Sequence, residues 1–360
     1  MRKHLKFVAL CLFAALLLAW FGWNLNWAEV SAAMGRARWP MVALAVGVVW
    51  VTYLLRALRW KTLLSTLAPR ASLREIFAAT TVGFGAIFLL GRAGEVVRPA
   101  FLPLRDRAVR PGAAFVTIAV ERMCDTATVI ILFAANLLVL RLPGVEPSAF
   151  KLVREAGILM LAAAVVGLAL LFWFRRRAEG ATRWLEARAE KLPGVMRGLG
   201  RVVVNLLGQL AQALGVLTDA RTLLATVGWT AAVWASITLA NMLVLRAFGL
   251  DVGPSETVFI LGWSLVGSVV PTPGAGAGTF HAATSYGLIR YLGAAETEAK
   301  AAVIILHLVV FGSSLFFGLY YFLRSGLSLS RLRELIAEEA REAESGPHAG
   351  EAGVPQAARA

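Results

Sequence analysis

Two short runs of ionisable residues stand inside otherwise apolar sequence, and their spacing is that of a charged site. The first is Gly91-Arg92-Ala93-Gly94-Glu95-Val96-Val97-Arg98-Pro99, which closes an apolar segment over Ile76–Leu90. Arg92, Glu95 and Arg98 are spaced i, i+3, so a helical turn would set all three on one face. Two guanidinium forks beside one carboxylate leave donors free, which suits a phosphate-bearing headgroup. The second run is Glu121-Arg122-Met123-Cys124-Asp125. Glu121 and Asp125 share a face at i, i+4, and Arg122 reaches Asp125 at i, i+3. Two acids with one base complement the basic excess of the first run. The expectation is that the two runs neutralise each other across a central polar cavity, leaving a carboxylate for a cationic headgroup or a coupling proton. A structural salt-bridge network explains the same residues, because ionisable groups near hydrocarbon cost roughly 2.5–3.5 kcal/mol each unless they are paired.

A third feature carries no charge. Pro271-Thr272-Pro273-Gly274-Ala275-Gly276-Ala277-Gly278 interrupts an apolar stretch. Proline removes backbone donors and glycine permits close approach or positive φ, so exposed amides and helix ends at Pro271, Pro273 and Gly274 can meet an ionic group. His281, just beyond, is a group able to exchange a proton near neutral pH. A tight hairpin turn and a packed histidine are the plainer alternatives.

The elements that hold these residues are membrane helices. The chain is 58% hydrophobic with mean hydropathy +0.70, and apolar runs recur from Leu5 to Leu323, the pattern of an all-α polytopic membrane protein. The net charge of +14 is read as positive-inside determinants beside anionic headgroups. No basic, aromatic-interleaved motif for nucleic acid accompanies it. The two cysteines, Cys11 and Cys124, have no metal-ligand spacing. There is no Walker-type loop, and no cofactor, metal or catalytic residue is expected.

The expected helices are Leu5–Trp23, Met41–Leu55, Ile76–Leu90, Ala113–Leu140, Leu152–Phe174, Leu223–Leu245, Val258–Val270, Phe280–Ile289 and Ala301–Leu323. Segment 76–90 is short of the roughly 20 residues of a comfortable crossing. Both of its flanks are basic: Arg56, Arg59, Lys61, Arg70 and Arg74 on one side, Arg92, Arg98, Arg105, Arg107 and Arg110 on the other. Read as connections, both flanks belong to the cytoplasm, so the segment enters and turns back. Residues 258–289 have nearly neutral or acidic flanks and form a hairpin from the opposite face. The resulting architecture is six full transmembrane helices plus two re-entrant helical hairpins in an inverted-repeat arrangement. The transmembrane domain covers 1–326, with half one over 5–140, half two over 152–323 and a cytoplasmic amphipathic insertion over 175–222. A cytoplasmic amphipathic helix and disordered tail occupy 327–360, and both termini are cytoplasmic.

Gly91-Arg92-Ala93-Gly94-Glu95 with Arg98-Pro99, Glu121-Arg122 with Asp125, and Pro271-Thr272-Pro273-Gly274 together resemble the flippase-like membrane family related to the transmembrane part of lysylphosphatidylglycerol synthase, over roughly residues 5–325. The resemblance implies an integral protein of the cytoplasmic (inner) membrane of a prokaryote. Relatives move aminoacylated phospholipid between leaflets, so the implied ligand is a phospholipid or lipid-linked precursor and an implied partner is a lipid-modifying enzyme. The family's glycine-rich break is typically followed by a glutamate, where this chain has Thr279-Phe280-His281. Only 37 residues follow Leu323, so this chain is not expected to attach lysine to lipid itself. Three functions follow from the sequence: a lipid translocase, a membrane-embedded glycosyl- or lipid-modifying transferase, and a non-transporting partner of an envelope enzyme.

Overall fold

The computed structural model describes residues 26–140, 157–167, 220–270 and 273–325, with residues 23, 151, 155, 169, 170 and 188 besides. The expected helix over 5–23, nearly all of the insertion over 175–222, the tail over 327–360 and Pro271 lie outside the described residues. So does most of 152–174, of which Gly157–Gly167 is a short apolar helix.

Among the described residues the elements are helical. A short helix, α1 (Trp27–Arg36), is capped by Asn26, whose Oδ1 accepts from the Ala28 and Glu29 N–H groups. Then follow α2 (Trp39–Leu64), α3 (Leu73–Leu90), a 3₁₀ turn (Gly91–Val96), α4 (Val97–Arg105) and α5 (Pro111–Val139). The second half has α6 (Ala220–Ala247), α7 (Pro254–Val269), a tip turn (Pro273–Gly276) and α8 (Thr279–Leu292). It closes with α9 (Glu296–His307), which runs through a π turn (Leu308–Gly312) into α10 (Ser314–Arg324). Proline opens α2, α5 and α7 in the first turn, where its missing N–H has no intrahelical partner in any case.

Among the described residues four helices are long and apolar enough to cross a membrane: α2, α5, α6 and the continuous Glu296–Arg324 rod. The 26 residues of α2 span about 39 Å at 1.5 Å per residue. This helix runs nine residues past the expected end at Leu55. Arg56 and Arg59 therefore belong to a membrane helix and not to a basic connection, because acceptors on α5 draw their guanidinium groups inward.

Segments α3 and α4 form a hairpin whose two ends meet. The Ser72 N–H donates to Asp106 Oδ2 at 2.7 Å, and Arg105 Nε donates to Glu75 Oε2 at 2.8 Å. The turn folds flat on α3 at Gly94, where an added Cβ would lie 2.4 Å from the Ala86 and Ile87 backbone. Segments α7 and α8 form the second hairpin. Trp263 packs edge-on against Tyr286, and Phe259 against Tyr291. Its tip runs through left-handed backbone at Gly274 (φ 73°) and Ala275 (φ 53°), with positive φ again at Gly276 and Gly278. A non-glycine residue in that region is uncommon.

The hairpins start from opposite ends of the molecule. The Arg38 N–H donates to the Ala247 carbonyl at 2.9 Å, so the start of α2 and the end of α6 share one end. At that same end Asn136 on α5 exchanges hydrogen bonds with Ser255, at the base of the second hairpin, and Glu298 pairs with Arg36. The base of the first hairpin follows Leu64, at the other end. The tip turn of the second hairpin touches α3 and the 3₁₀ turn of the first. Around this meeting, α2 lies along α6 and α10 along α3, with Phe317 and Tyr321 edge-on to Phe77.

Gly94→Ala puts a methyl into fixed backbone. It should cost about 1–3 kcal/mol, the range for overpacking, and lower the thermal midpoint in detergent, whereas Gly47→Ala, with open space around it, should not. Arg107, exposed beyond the first hairpin, and Ala295, exposed beyond the second, stand at opposite ends. An impermeant maleimide applied to intact cells should label Ala295→Cys and leave Arg107→Cys untouched until the membrane is opened.

Candidate functional site

The charged residues of α2, α4 and α5 converge on one buried cluster. Arg59, fully buried on α2, forms a fork with Asp125 on α5: Nη1 to Oδ1 at 2.6 Å and Nη2 to Oδ2 at 3.0 Å. The same Nη2 lies 3.1 Å from Glu121 Oε1, and Nη1 also donates to Thr230 Oγ1 on α6 at 3.2 Å. Arg59 thus ties α2, α5 and α6 together through one planar group, which lysine could not do.

Arg98, 4% exposed, enters from the first turn of α4 and donates through Nη1 to Glu121 Oε1 at 2.5 Å. Its guanidinium stacks 4.3 Å over the ring of Trp60, a cation–π contact. Trp60 is itself fixed by donating Nε1–H to Thr117 Oγ1 at 2.9 Å. Gly83 on α3 leaves room for this arginine, since an added Cβ would lie 2.6 Å from Arg98 Cβ. Arg122, with 39% of its side chain exposed, forms the rim and reaches Glu121 at 3.1 Å and Asp125 at 3.5 Å. Arg56 completes the set, 3.8 Å from Asp125 Oδ2 with its guanidinium 4.8 Å over Phe84.

Four guanidinium groups therefore surround two carboxylates. Glu121 Oε1 serves three arginines, and Asp125 is engaged on both oxygens. Three buried guanidinium N–H groups, Arg59 Nε, Arg98 Nε and Arg98 Nη2, have no hydrogen-bond partner, and neither does Glu121 Oε2. Buried polar groups are nearly always satisfied, so this surplus of donors marks a place for acceptor oxygens.

Several expectations change here. Arg98 does meet Glu121, joining the two sequence runs. Arg92 and Glu95 lie in a 3₁₀ turn over Gly91–Val96 and Arg98 in the first turn of α4, so the three do not stand on one continuous α-helical turn. Glu95, half-buried, acts on Arg122 instead, and the Arg92 side chain is outside the described residues. Both carboxylates are paired with arginine and only Glu121 Oε2 is without a partner, since Arg56 and Arg59, read from sequence as loop charges, supply further base. The signal that finds them is their i, i+3 spacing on an uninterrupted helical pattern from Trp39 to Leu64.

The space between the halves differs from the expected polar cavity. It is a mainly apolar cavity of about 150 Å³, lined by residues such as Val49, Phe84, Leu261, Phe280 and Phe311. Arg56 borders both this cavity and the charged cluster. His281 sits apart from the cluster. Its Nδ1 accepts from the Gly278 N–H at 3.3 Å and its ring stands edge-on, 4.7 Å from His307. Gly274 lies on the tip turn beside His307, and Pro273 opens that turn. Among the described residues no group of three His, Cys, Asp or Glu is placed to hold a metal ion.

Long apolar helices around a buried ionic cluster define a multi-pass helical membrane protein. More narrowly, the chain belongs to the family of the lysylphosphatidylglycerol synthase transmembrane region, whose family model matches residues 7–318. The glycosyltransferase AglD of Haloferax volcanii is 24% identical over 368 residues, 93% of this chain and 57% of that protein. The chain thus spans little more than half the length of that curated relative. No solved structure matches.

Removing one partner of a buried pair leaves an uncompensated charge and costs about 3–5 kcal/mol. Arg98→Gln and Glu121→Gln should each destabilise on that scale, while the double variant should fall short of additivity by roughly 1–3 kcal/mol. Chemical unfolding in detergent measures the cycle. Arg59→Gln should be the most disruptive single change in the cluster, because it frees three helices at once.

Proposed function

We propose that this protein is a translocase that moves the phosphate-bearing headgroup of a membrane amphiphile between leaflets. The observation that carries this is the buried, donor-rich arginine cluster beside the hairpin of α3 and α4, whose two carboxylates are already engaged. Broken elements entering from opposite faces are the arrangement that secondary transporters use to hold a substrate near the midplane. In this reading the hairpins re-enter the bilayer from opposite sides, six helices span it, and both termini lie in the cytoplasm of a prokaryotic cell, in the inner membrane. Arg98, Arg122 and Arg56 bind the phosphate, and Arg92 and Glu95 are assigned to the same site from their place in the sequence. Arg59 holds Glu121 and Asp125 in place. Pro273, Gly274 and His281 shape the opposing tip, to which Pro271 is assigned from sequence alone, and movement of that tip lets the headgroup pass. Irregular backbone at membrane depth has to be covered by protein or by a wet cavity, and the meeting of the two tips provides that cover.

The name of the Haloferax relative favours a second reading, a transferase acting on a lipid-linked sugar. A transferase needs a group placed to take a proton, and the arginine pairing of Glu121 and Asp125 ties up the acids of this site. The translocase reading is therefore preferred. A lipid-modifying enzyme is the natural partner, since it would supply the cargo.

Reconstitution into vesicles with headgroup-labelled lipids tests the proposal. The pure protein should speed movement of a phosphate-bearing lipid between leaflets. Arg98→Lys keeps the charge and loses the fork, so the rate should fall about tenfold, some 1.4 kcal/mol, at unchanged expression. No movement of any lipid by the pure protein would favour the partner-protein reading, and sugar transfer to a polyprenyl phosphate would favour the transferase.

A further inference from the structure

We infer that the site selects an amphiphile whose headgroup is a phosphate without any ammonium group, and that its first chain segment lies in the cavity beyond Arg56; this rests on the translocase reading and names its cargo class. The family takes its description from a lysyl ester of phosphatidylglycerol, whose headgroup carries two ammonium groups and one phosphate, a net cation. A site for such a headgroup needs a carboxylate to spare. Here Asp125 is held on both oxygens by Arg59, and Glu121 Oε1 is shared among Arg59, Arg98 and Arg122. The only unpartnered acceptor among these buried groups is Glu121 Oε2, against three unpartnered guanidinium N–H groups. Bringing an ammonium into this surround sets it against four guanidinium groups, and like charges at close range disfavour binding.

The same surround fits terminal phosphate oxygens. Each accepts charge-assisted hydrogen bonds, which are roughly twice as strong as neutral ones, and the negative charge offsets the cationic excess of the four arginines over Glu121, Asp125 and the half-buried Glu95 beside Arg122. Arg56 decides where the rest of the molecule goes. It borders both the cluster and the cavity, and the cavity walls beyond it are mainly apolar, with Val49, Phe84 and Leu261 beside the polar Thr52, Asn241 and Ser264. A cavity near 150 Å³ lined by such side chains accepts apolar matter and excludes ions. A phosphate at Arg56 thus borders a mainly apolar space that can take the first part of a chain.

The test is equilibrium binding to the full-length protein in detergent, followed by calorimetry. The ligands are dioctanoyl phosphatidylglycerol, decyl phosphate, the lysyl ester of dioctanoyl phosphatidylglycerol, dioctanoyl phosphatidylcholine and inorganic phosphate. The two anionic amphiphiles should bind at least about tenfold more tightly than the lysyl ester or the choline lipid. Inorganic phosphate should bind more weakly than decyl phosphate, because it leaves the cavity unfilled. Arg56→Gln should narrow the preference, while Arg56→Lys, which keeps the charge, should retain most of it; the thermal midpoint of each variant reports whether it is folded. Equal or tighter binding of the lysyl ester, inorganic phosphate matching decyl phosphate, or no binding across the panel would each overturn the inference. Selective anion binding without movement between leaflets would remove the translocase and leave the site. Movement of every headgroup alike, with no binding preference, would remove the site assignment and leave the translocase.

Discussion

The burial of Arg59 between Asp125 and Glu121 is the constraint on which the rest of the structure depends. A guanidinium group cannot shed its proton in a protein, so an arginine inside an apolar helix bundle must find acceptors or remain in contact with water. Arg59 finds them on α5 and α6 at once, and this fixes the rotation of α2 about its own axis. Once α2 and α5 are set, Trp60 and Thr117 come together, and the Trp60 ring becomes the surface on which Arg98 lies. The first hairpin is therefore anchored by electrostatics at its return strand and by close backbone contact at Gly94. Such a network contributes less to stability than to uniqueness: desolvating the ions offsets much of their attraction, while any other register strands a charge.

The two hairpins are alike in geometry and unlike in chemistry. The first brings arginine to the middle of the molecule. The second brings left-handed backbone and His281, which meets His307 of α9 among Phe280 and Phe311. One hairpin is rich in arginine, and the other has no Asp, Glu, Lys or Arg between Val270 and Phe280. That difference suits the proposed translocase, since a site charged on both sides would hold its cargo longer.

Much of this was legible from residue types and spacing. Glycine, charge and proline after Leu90, and the proline–glycine run from 271, mark places where no helix can continue, because helix geometry is a local property of the backbone. The pairing of Arg98 with Glu121 was also accessible, since opposite charges in hydrocarbon must meet. The reading failed at Arg56 and Arg59. Counting basic residues treats each arginine beside an apolar run as the end of that run, although the helical pattern continues to Leu64 and carries Arg56 and Arg59 at i, i+3. At Arg92, Glu95 and Arg98 the sequence expects one α-helical turn, and the chain instead passes from a 3₁₀ turn into α4 between Glu95 and Arg98.

By itself the sequence determined the class of the protein, the positions of the breaks and the identity of the acids and bases that must be neutralised, because these follow from hydropathy, length and the cost of charge in an apolar medium. Only the tertiary structure decided the balance. It set four arginines against two carboxylates, engaged both acids, left guanidinium donors over and placed an apolar cavity next to them. Those outcomes depend on which helix faces which, and that is fixed by packing among residues more than sixty positions apart, such as Arg59 and Asp125, rather than by any local pattern.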